Sequence, residues 1–152
     1  MSDDLGQYED ALQQFREGAD LGIASAQNNL GIMYREGQGT PQDFVQAMQW
    51  FQKAAGQGNA AAQYNLAAMY HEGLGAPKDY VQAMQWLQKA AEQGYVIAQN
   101  NLGLMYCQGE GTPKDFAQAM RWFRRAAEQG DPTGQHNFEV LSHEMAEQAP
   151  QN

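Results

Sequence analysis

AQNNLGIMY at residues 26–34 returns as AQYNLAAMY at 62–70 and as AQNNLGLMY at 98–106. The three strings align without a gap, and the step from Leu30 to Leu66 equals the step from Leu66 to Leu102, 36 residues each time. A fixed period of this size indicates one supersecondary unit that stacks on copies of itself. The sequence therefore predicts a repeat protein with three complete units.

Each repeat carries two helical patterns. Ala26, Leu30, Met33 and Tyr34 recur at the spacing of one helix face, and the segment 44–55 repeats that spacing in a second helix. No segment has the alternation typical of a strand. The repeat unit is therefore predicted to be a helix-turn-helix, and the fold class to be all-α.

Glycine, proline and acidic residues mark the predicted helix ends. Gly37 suits the left-handed residue that ends the first helix, and Pro41 cannot continue that helix. Asp43 offers a side-chain acceptor to the start of the second helix. Gly58 ends the second helix, and Asn59 is predicted to cap the helix that follows. Equivalent roles in later repeats fall to Gly94, Gly130 and Asp131.

The repeats are predicted to form one domain over residues 7–146. It would consist of a half unit, three repeats and a capping helix, because repeat arrays need ends that cover their apolar surface. The predicted bounds are 8–22, about 23–58, 59–94, 95–130 and 132–146, with flexible ends at 1–6 and 147–152.

Charge and composition exclude several classes of partner. The chain has 9 Lys and Arg against 18 Asp and Glu, a formal charge of -9, which disfavours nucleic acid and anionic membrane surfaces. No run approaches the roughly 18 apolar residues of a membrane span, so no membrane insertion is expected. Residues 1–10 lack an export signal, and the single Cys107 fits a reducing compartment. The cytoplasm is the predicted location, or the periplasm or the outside of the cell if a leader has been removed.

The repeated motif resembles a known family. The motif consists of Ala, Leu-Gly and Tyr, then Gly-x-Gly, a Pro-x-Asp turn, Ala, Trp-Phe and Lys-Ala-Ala-x-x-Gly. Over roughly Tyr8 to Met145 this order is similar to the Sel-1-like repeat, a relative of the tetratricopeptide repeat. The resemblance implies a right-handed α/α superhelix, or solenoid, and adaptor proteins that assemble complexes. In bacteria such adaptors are often linked to signalling, envelope processes or contact with a host. Gly31 becomes Ala67 in the second unit, a change that should still allow close helix approach.

The same resemblance suggests where a partner protein or peptide would bind. In tetratricopeptide relatives the first helix of each pair lines the concave face, so the residues opposite the core stripe are the candidates. They mix hydrogen-bonding and apolar side chains, which suits a peptide or a partner helix. The candidate partner-binding residues are Asn28, Ile32, Arg35, Tyr64, Ala68, His71, Asn100, Leu104, Gln108, His136 and Val140.

A carboxylate clamp for an acidic C-terminal tail is disfavoured. Tetratricopeptide clamps use an Asn where this chain repeats Asn29, Asn65, Asn101 and Asn137. The clamp also needs Lys or Arg beside that Asn, and none is present there. The recurring asparagines are therefore predicted to hold backbone groups between helices.

Rival interpretations assign chemistry to particular side chains. Trp50, Trp86 and Trp122 resemble a stacking ladder, but an aromatic at repeat spacing is more typical of packing between repeats. His136 and His143 are about 10 Å apart along a helix at 1.5 Å rise per residue, too far for one metal ion. The sequence thus predicts no metal, no cofactor and no enzyme. The enzymatic alternative is a hydrolase or carbohydrate-acting enzyme centred on Cys107 or the histidines. Cys107 as nucleophile and His71 as base is one such pair, although no third group orients them.

Two further alternatives concern association. Arg121, Arg124 and Arg125 form either a solvated charged face or a second site for an acidic partner. The chain is predicted to be a monomer, and the alternative is a structural unit that self-associates weakly through its terminal helices. The favoured function is a non-enzymatic adaptor that binds a protein or peptide on its concave face.

Overall fold

The computed structural model describes residues 2–151, with side chains from Asp4 onward, and every regular element within them is an α-helix. The chain divides into two compact units, Met1–Asp79 and Tyr80–Asn152. In each unit every helix packs against the next one along the chain. The single domain proposed over residues 7–146 stays a prediction.

The helices have nearly uniform lengths because glycines and Pro-x-Asp turns recur at the same offsets in each repeat. The six inner helices each have 13 residues, whereas the first has 19 and the last has 17. Unit 1 contains α1 (Ser2–Asp20), α2 (Ala24–Glu36), α3 (Phe44–Gly56) and α4 (Ala60–Glu72). Unit 2 contains α5 (Tyr80–Glu92), α6 (Val96–Gln108), α7 (Phe116–Glu128) and α8 (Pro132–Gln148).

The predicted capping residues take up their roles. Gly37 has φ 69°, the left-handed conformation that glycine adopts without strain, and its N–H donates to a carbonyl in the last turn of α2. The Asp43 carboxylate accepts from the N–H of Gln46 at 3.0 Å. Asn59 accepts from the N–H of Ala62 at 2.9 Å. The helix ends at these three residues are therefore set by local chemistry, as the sequence predicted, whereas α2 and α6 start without a side-chain cap.

The terminal helices extend into the segments predicted to be flexible. Helix α1 begins at Ser2 and α8 ends at Gln148, so both overlap those segments. Asp4 lies in the first turn of α1, where a carboxylate interacts favourably with the helix dipole. Met1 and Asn152, which belong to the same prediction, lie outside the described residues.

The core of each unit depends on close contact between consecutive helices. A Cβ added at Gly31 would lie 2.6 Å from the ring of Phe51, so α2 packs directly on that ring. In unit 2 a Cβ at Gly103 would lie 2.5 Å from the ring of Phe123. Ala67, which replaces this glycine in the second repeat, is 2% exposed. The small residue thus lies in a tightly packed seam.

The second glycine of each Gly-x-Gly loop allows the loop to contact the preceding second helix. A Cβ at Gly39 would lie 2.8 Å from the carbonyl oxygen of Tyr8, and one at Gly75 would lie 2.6 Å from that of Phe44. Gly111 makes the same approach to α5 within unit 2, and all three glycines have positive φ. Both the backbone conformation and the short distance require glycine here.

Candidate functional site

The candidate residues of unit 1 lie on α2 and α4, and most are half-buried. Asn28 is the exception, with 7% of its surface exposed. An incoming partner would therefore contact the residues around Asn28 before Asn28 itself. The half-buried residues are Ile32, Arg35, Tyr64, Ala68 and His71.

A side-chain relay joins α2 to α4 in unit 1. Arg35 Nη1 donates to Asn65 Oδ1 at 3.2 Å, and Asn65 Nδ2 donates to Asn28 Oδ1 at 2.9 Å. Arg35 Nε also pairs with Glu36 at 2.8 Å, and the guanidinium lies 5.6 Å from the centroid of the Phe51 ring. Asn65 thus bonds side chains rather than the backbone groups predicted for it, because the polar side chains of α2 lie within its reach. We call these three residues, Arg35, Asn65 and Asn28, the Arg35 relay.

The candidate residues of unit 2 are more exposed. Leu104 on α6 and Val140 on α8 have 41% and 43% of their surfaces exposed. Gln108 and His136 are exposed as well, whereas Asn100 is buried. Unit 2 therefore presents apolar and polar side chains to solvent on the same two helices.

The buried Asn100 makes only part of the bonds available to it. Its Nδ2 donates to Asp131 Oδ2 at 2.7 Å, and the same carboxylate oxygen accepts from the N–H of Gly134 at 2.8 Å as the cap of α8. Its Oδ1 is buried and has no partner in the part of the chain that the structure describes. Buried polar atoms are usually paired, so this oxygen requires an explanation.

A ladder of glutamines, absent from the sequence-based site, connects helices in both units. In unit 1, Gln27 Nε2 donates to the carbonyl of Ala19 at 3.3 Å, and Gln57 Nε2 donates to Gln27 Oε1 at 2.7 Å. In unit 2, Gln99 donates to the end of α5 at 3.1 Å and accepts from Gln129 at 2.8 Å. The sequence signal for these glutamines was the Ala-Gln pair that begins each of the three repeated strings. These glutamines hold the framework that positions the candidate faces.

The repeated tryptophans lie next to cationic side chains of their own helices. Trp122 is 4% exposed, and the other two are half-buried. The faces that a sugar or base would stack on are thus partly covered, which agrees with a packing role. The distances from cation to ring centroid are 4.4 Å for Lys53 and Trp50, 4.5 Å for Lys89 and Trp86, and 4.8 Å for Arg125 and Trp122.

The arginines of α7 do not act as one cluster. Arg124 pairs with Glu128 at 3.6 Å, and Arg125 lies over the ring of Trp122. Arg121 is exposed. Two of the three charges therefore have partners on their own helix, and the second binding site stays an alternative prediction.

The geometry gives little support to metal or thiol chemistry. Among the side chains of residues 4–151, no three of His, Cys, Asp or Glu are grouped so as to hold a metal ion, and His136 and His143 are both exposed. Burial raises the pKa of the Cys107 thiol, and the carboxylate of Glu144 raises it further. Such a thiol stays protonated near neutral pH and is a poor nucleophile. The histidine considered as its base, His71, belongs to unit 1.

Over the same residues, no helix has both the length and the apolar character that crossing a membrane requires. The model of the family described as Sel1 repeat matches residues 24–59, 60–95 and 96–131, each one period long. No curated protein matches the chain.

Solved structures with related folds come from bacteria. A protective antigen of uropathogenic Escherichia coli that displays an SLR fold is 48% identical, with a TM-score of 0.79, over 82% of this chain and 27% of its own. A Sel1 repeat protein from Oxalobacter formigenes is 38% identical, with a TM-score of 0.80, over 86% of this chain and 54% of its own. The chain thus spans about a quarter and about half of these two proteins.

A third structure extends the likeness to a more distant protein. Helicobacter pylori cysteine rich protein B has 21% identity and a TM-score of 0.67 over 86% of this chain and 93% of its own. This likeness bears on the fold alone. Together, the matches and the consecutive packing of helices confirm the predicted α/α solenoid of repeats.

Proposed function

Because the chain belongs to the Sel1 repeat family, we propose that it binds a partner protein or peptide through the first-helix faces of its repeats. Proteins with this fold are generally scaffolds for protein–protein interaction and are generally not enzymes. In this chain the proposed faces are those of α2 and α4 in unit 1 and of α6 and α8 in unit 2.

The exposure of Leu104 and Val140 is the observation that carries the proposal. Each is an apolar side chain with more than two fifths of its surface in solvent, on a first helix of unit 2. Protein-binding surfaces combine an apolar centre with a polar rim, and these two helices present both kinds of side chain. Gln108 and His136 supply the polar neighbours, with donors and acceptors for a peptide backbone.

Binding assays with charge variants test the proposal. Leu104→Glu and Val140→Glu each place a carboxylate in the proposed contact and should weaken the capture of partners from a native extract by at least about tenfold, since burying an unpaired charge is costly. Val45→Glu and Val81→Glu are matched controls, because these valines are 54% and 53% exposed on the second helices α3 and α5. The controls should retain wild-type capture.

The comparison between the two sets decides the outcome. Equal loss of capture in all four variants would indicate a general effect of charge or stability and would remove support for the first-helix faces. Unchanged capture in all four would reject the proposed surface. Mass spectrometry of the captured proteins identifies those lost only with the first-helix variants, and light scattering checks whether a second copy of the chain is among them.

A further inference from the structure

The two units have different residues at one repeated position, Arg35 in unit 1 and Cys107 in unit 2. In unit 1 the Arg35 relay is complete, because the guanidinium donates to Asn65 and Asn65 donates to Asn28. The residues 72 positions later in unit 2 are Cys107, Asn137 and Asn100. A neutral thiol thus replaces the cation, while both asparagines are kept.

In unit 2 the change from cation to thiol accompanies one unsatisfied polar atom. Asn100 is 8% exposed, and its buried Oδ1 has no partner in the described part of the chain. Asn137, the second asparagine of the set, is half-buried. In unit 1 the equivalent oxygen, Asn28 Oδ1, accepts from Asn65. Unit 2 therefore has the acceptors of the relay without the donor that begins it.

The surroundings of this position suit a cationic side chain. Cys107 is half-buried and packs against the buried cluster of Ala119, Phe123 and Leu141, against which Phe138, next in sequence to Asn137, also packs. The Glu144 carboxylate is close enough to act on Cys107 electrostatically, so a carboxylate is near this position as Glu36 is near Arg35 in unit 1. The chain as a whole has a formal charge of -9, which attracts basic partners.

We propose that unit 2 binds an arginine side chain of the partner, whose guanidinium takes the place that Arg35 holds in unit 1. The guanidinium donates to Asn137 Oδ1, and the Asn137 amide turns to donate to Asn100 Oδ1. This inference rests on the proposed function and adds the chemistry of one partner residue. A guanidinium fits better than an ammonium, because its planar fork of N–H groups bonds a carboxamide and a carboxylate together. Leu104 and Val140 are exposed for contact with the methylene stem of the arginine.

Nuclear magnetic resonance of the full ¹⁵N-labelled chain tests the proposal with a small probe. N-acetyl-arginine amide should shift the side-chain NH2 signals of Asn100 and Asn137. N-acetyl-citrulline amide has the same shape without the charge and should bind at least about tenfold more weakly, because charge-assisted hydrogen bonds are the stronger ones. Equal shifts with both probes, or none with the arginine probe, would overturn the proposal.

A variant that supplies the arginine from within the chain provides a second test. Cys107→Arg supplies the cation from within the chain, as Arg35 does in unit 1, so it should abolish the arginine-dependent shifts and raise the midpoint of thermal unfolding. Gln85→Arg adds the same charge on the exposed face of α5, where the third repeat already has Arg121. This control should keep both the wild-type shifts and the wild-type midpoint. Retained binding in the folded Cys107→Arg variant would contradict the proposal.

The result separates this inference from the broader function. If the arginine probe fails while Leu104→Glu still abolishes partner capture, the partner-binding face stands and the arginine specificity is wrong. If the probe binds but capture does not depend on Leu104 or Val140, unit 2 recognises guanidinium and the proposed first-helix interface is wrong.

Discussion

At Gly31 the absence of a side chain allows α2 to contact the ring of Phe51, and a Cβ there would lie 2.6 Å from that ring. We expect Gly31→Ala to lower the free energy of unfolding by about 1–3 kcal/mol, because overpacking a filled core forces its neighbours to move. Urea unfolding followed by circular dichroism measures the change. Gly56→Ala is the control, since Gly56 is helical with no atom within 4 Å of an added Cβ; it should raise stability by about 0.4–1 kcal/mol.

The second repeat suggests how the loss at Gly31 is relieved. It has Ala67 where the first repeat has Gly31, and Leu87 where the first has Phe51. The double variant Gly31→Ala/Phe51→Leu should therefore be more stable than the sum of the two single effects, with a coupling of about 0.5–3 kcal/mol. Additive effects in the same urea experiment would contradict the packing explanation.

The Cys107 thiol should react slowly with alkylating agents at neutral pH. Burial raises its pKa and the Glu144 carboxylate adds to this, so the reactive thiolate forms only at higher pH than in an unperturbed cysteine. The rate of iodoacetamide labelling, measured against pH, should have its midpoint above that of N-acetyl-cysteine amide. Glu144→Gln removes the carboxylate charge and should shift the midpoint towards lower pH. A wild-type midpoint below that of the reference thiol would reverse this account and reopen a nucleophilic role.

Between elements, we expect the hydrogen bonds of the glutamine ladder to stabilise the packing of helices. Gln27 is 5% exposed and bonds both the end of α1 and Gln57 after α3. Replacing it by Met keeps the volume but leaves the Ala19 carbonyl and the Gln57 amide without this partner. We expect Gln27→Met to cost about 1–3 kcal/mol of unfolding free energy in chemical denaturation. Gln52→Met, on the exposed face of α3, should stay within about 0.5 kcal/mol of the wild type. A similar cost for both variants would show that the buried bonds add nothing.

The elements themselves were predictable because their boundaries depend on neighbouring residues. Gly37, Asp43 and Asn59 end or start helices through bonds to groups within a few positions, which a sequence displays directly. The bond from Gln57 to Gln27 spans 30 residues. A repeated glutamine does not reveal that distant partner until the helices are packed.

At the scale of the molecule, the resemblance to tetratricopeptide relatives suggested which helices would carry a binding face, but not how deeply each residue on them would be buried. Asn28 and Asn100 were chosen as hydrogen-bonding contacts, and both are buried by polar packing between helices. Leu104 and Val140, chosen for apolar cover, are exposed. The difference arises because short polar side chains in a seam find partners across it, which helical periodicity alone does not encode.

The excess of acidic residues predicts how the whole molecule meets its partner. With 18 Asp and Glu against 9 Lys and Arg, long-range attraction should speed the approach of a basic partner at low ionic strength, and salt should screen it. We expect the association rate constant to fall about tenfold between 50 and 500 mM NaCl, while the dissociation rate changes little because apolar contacts such as those of Leu104 and Val140 are not screened. Surface plasmon resonance with the immobilised partner measures both rates. An association rate that is independent of salt would show that the overall charge does not steer binding.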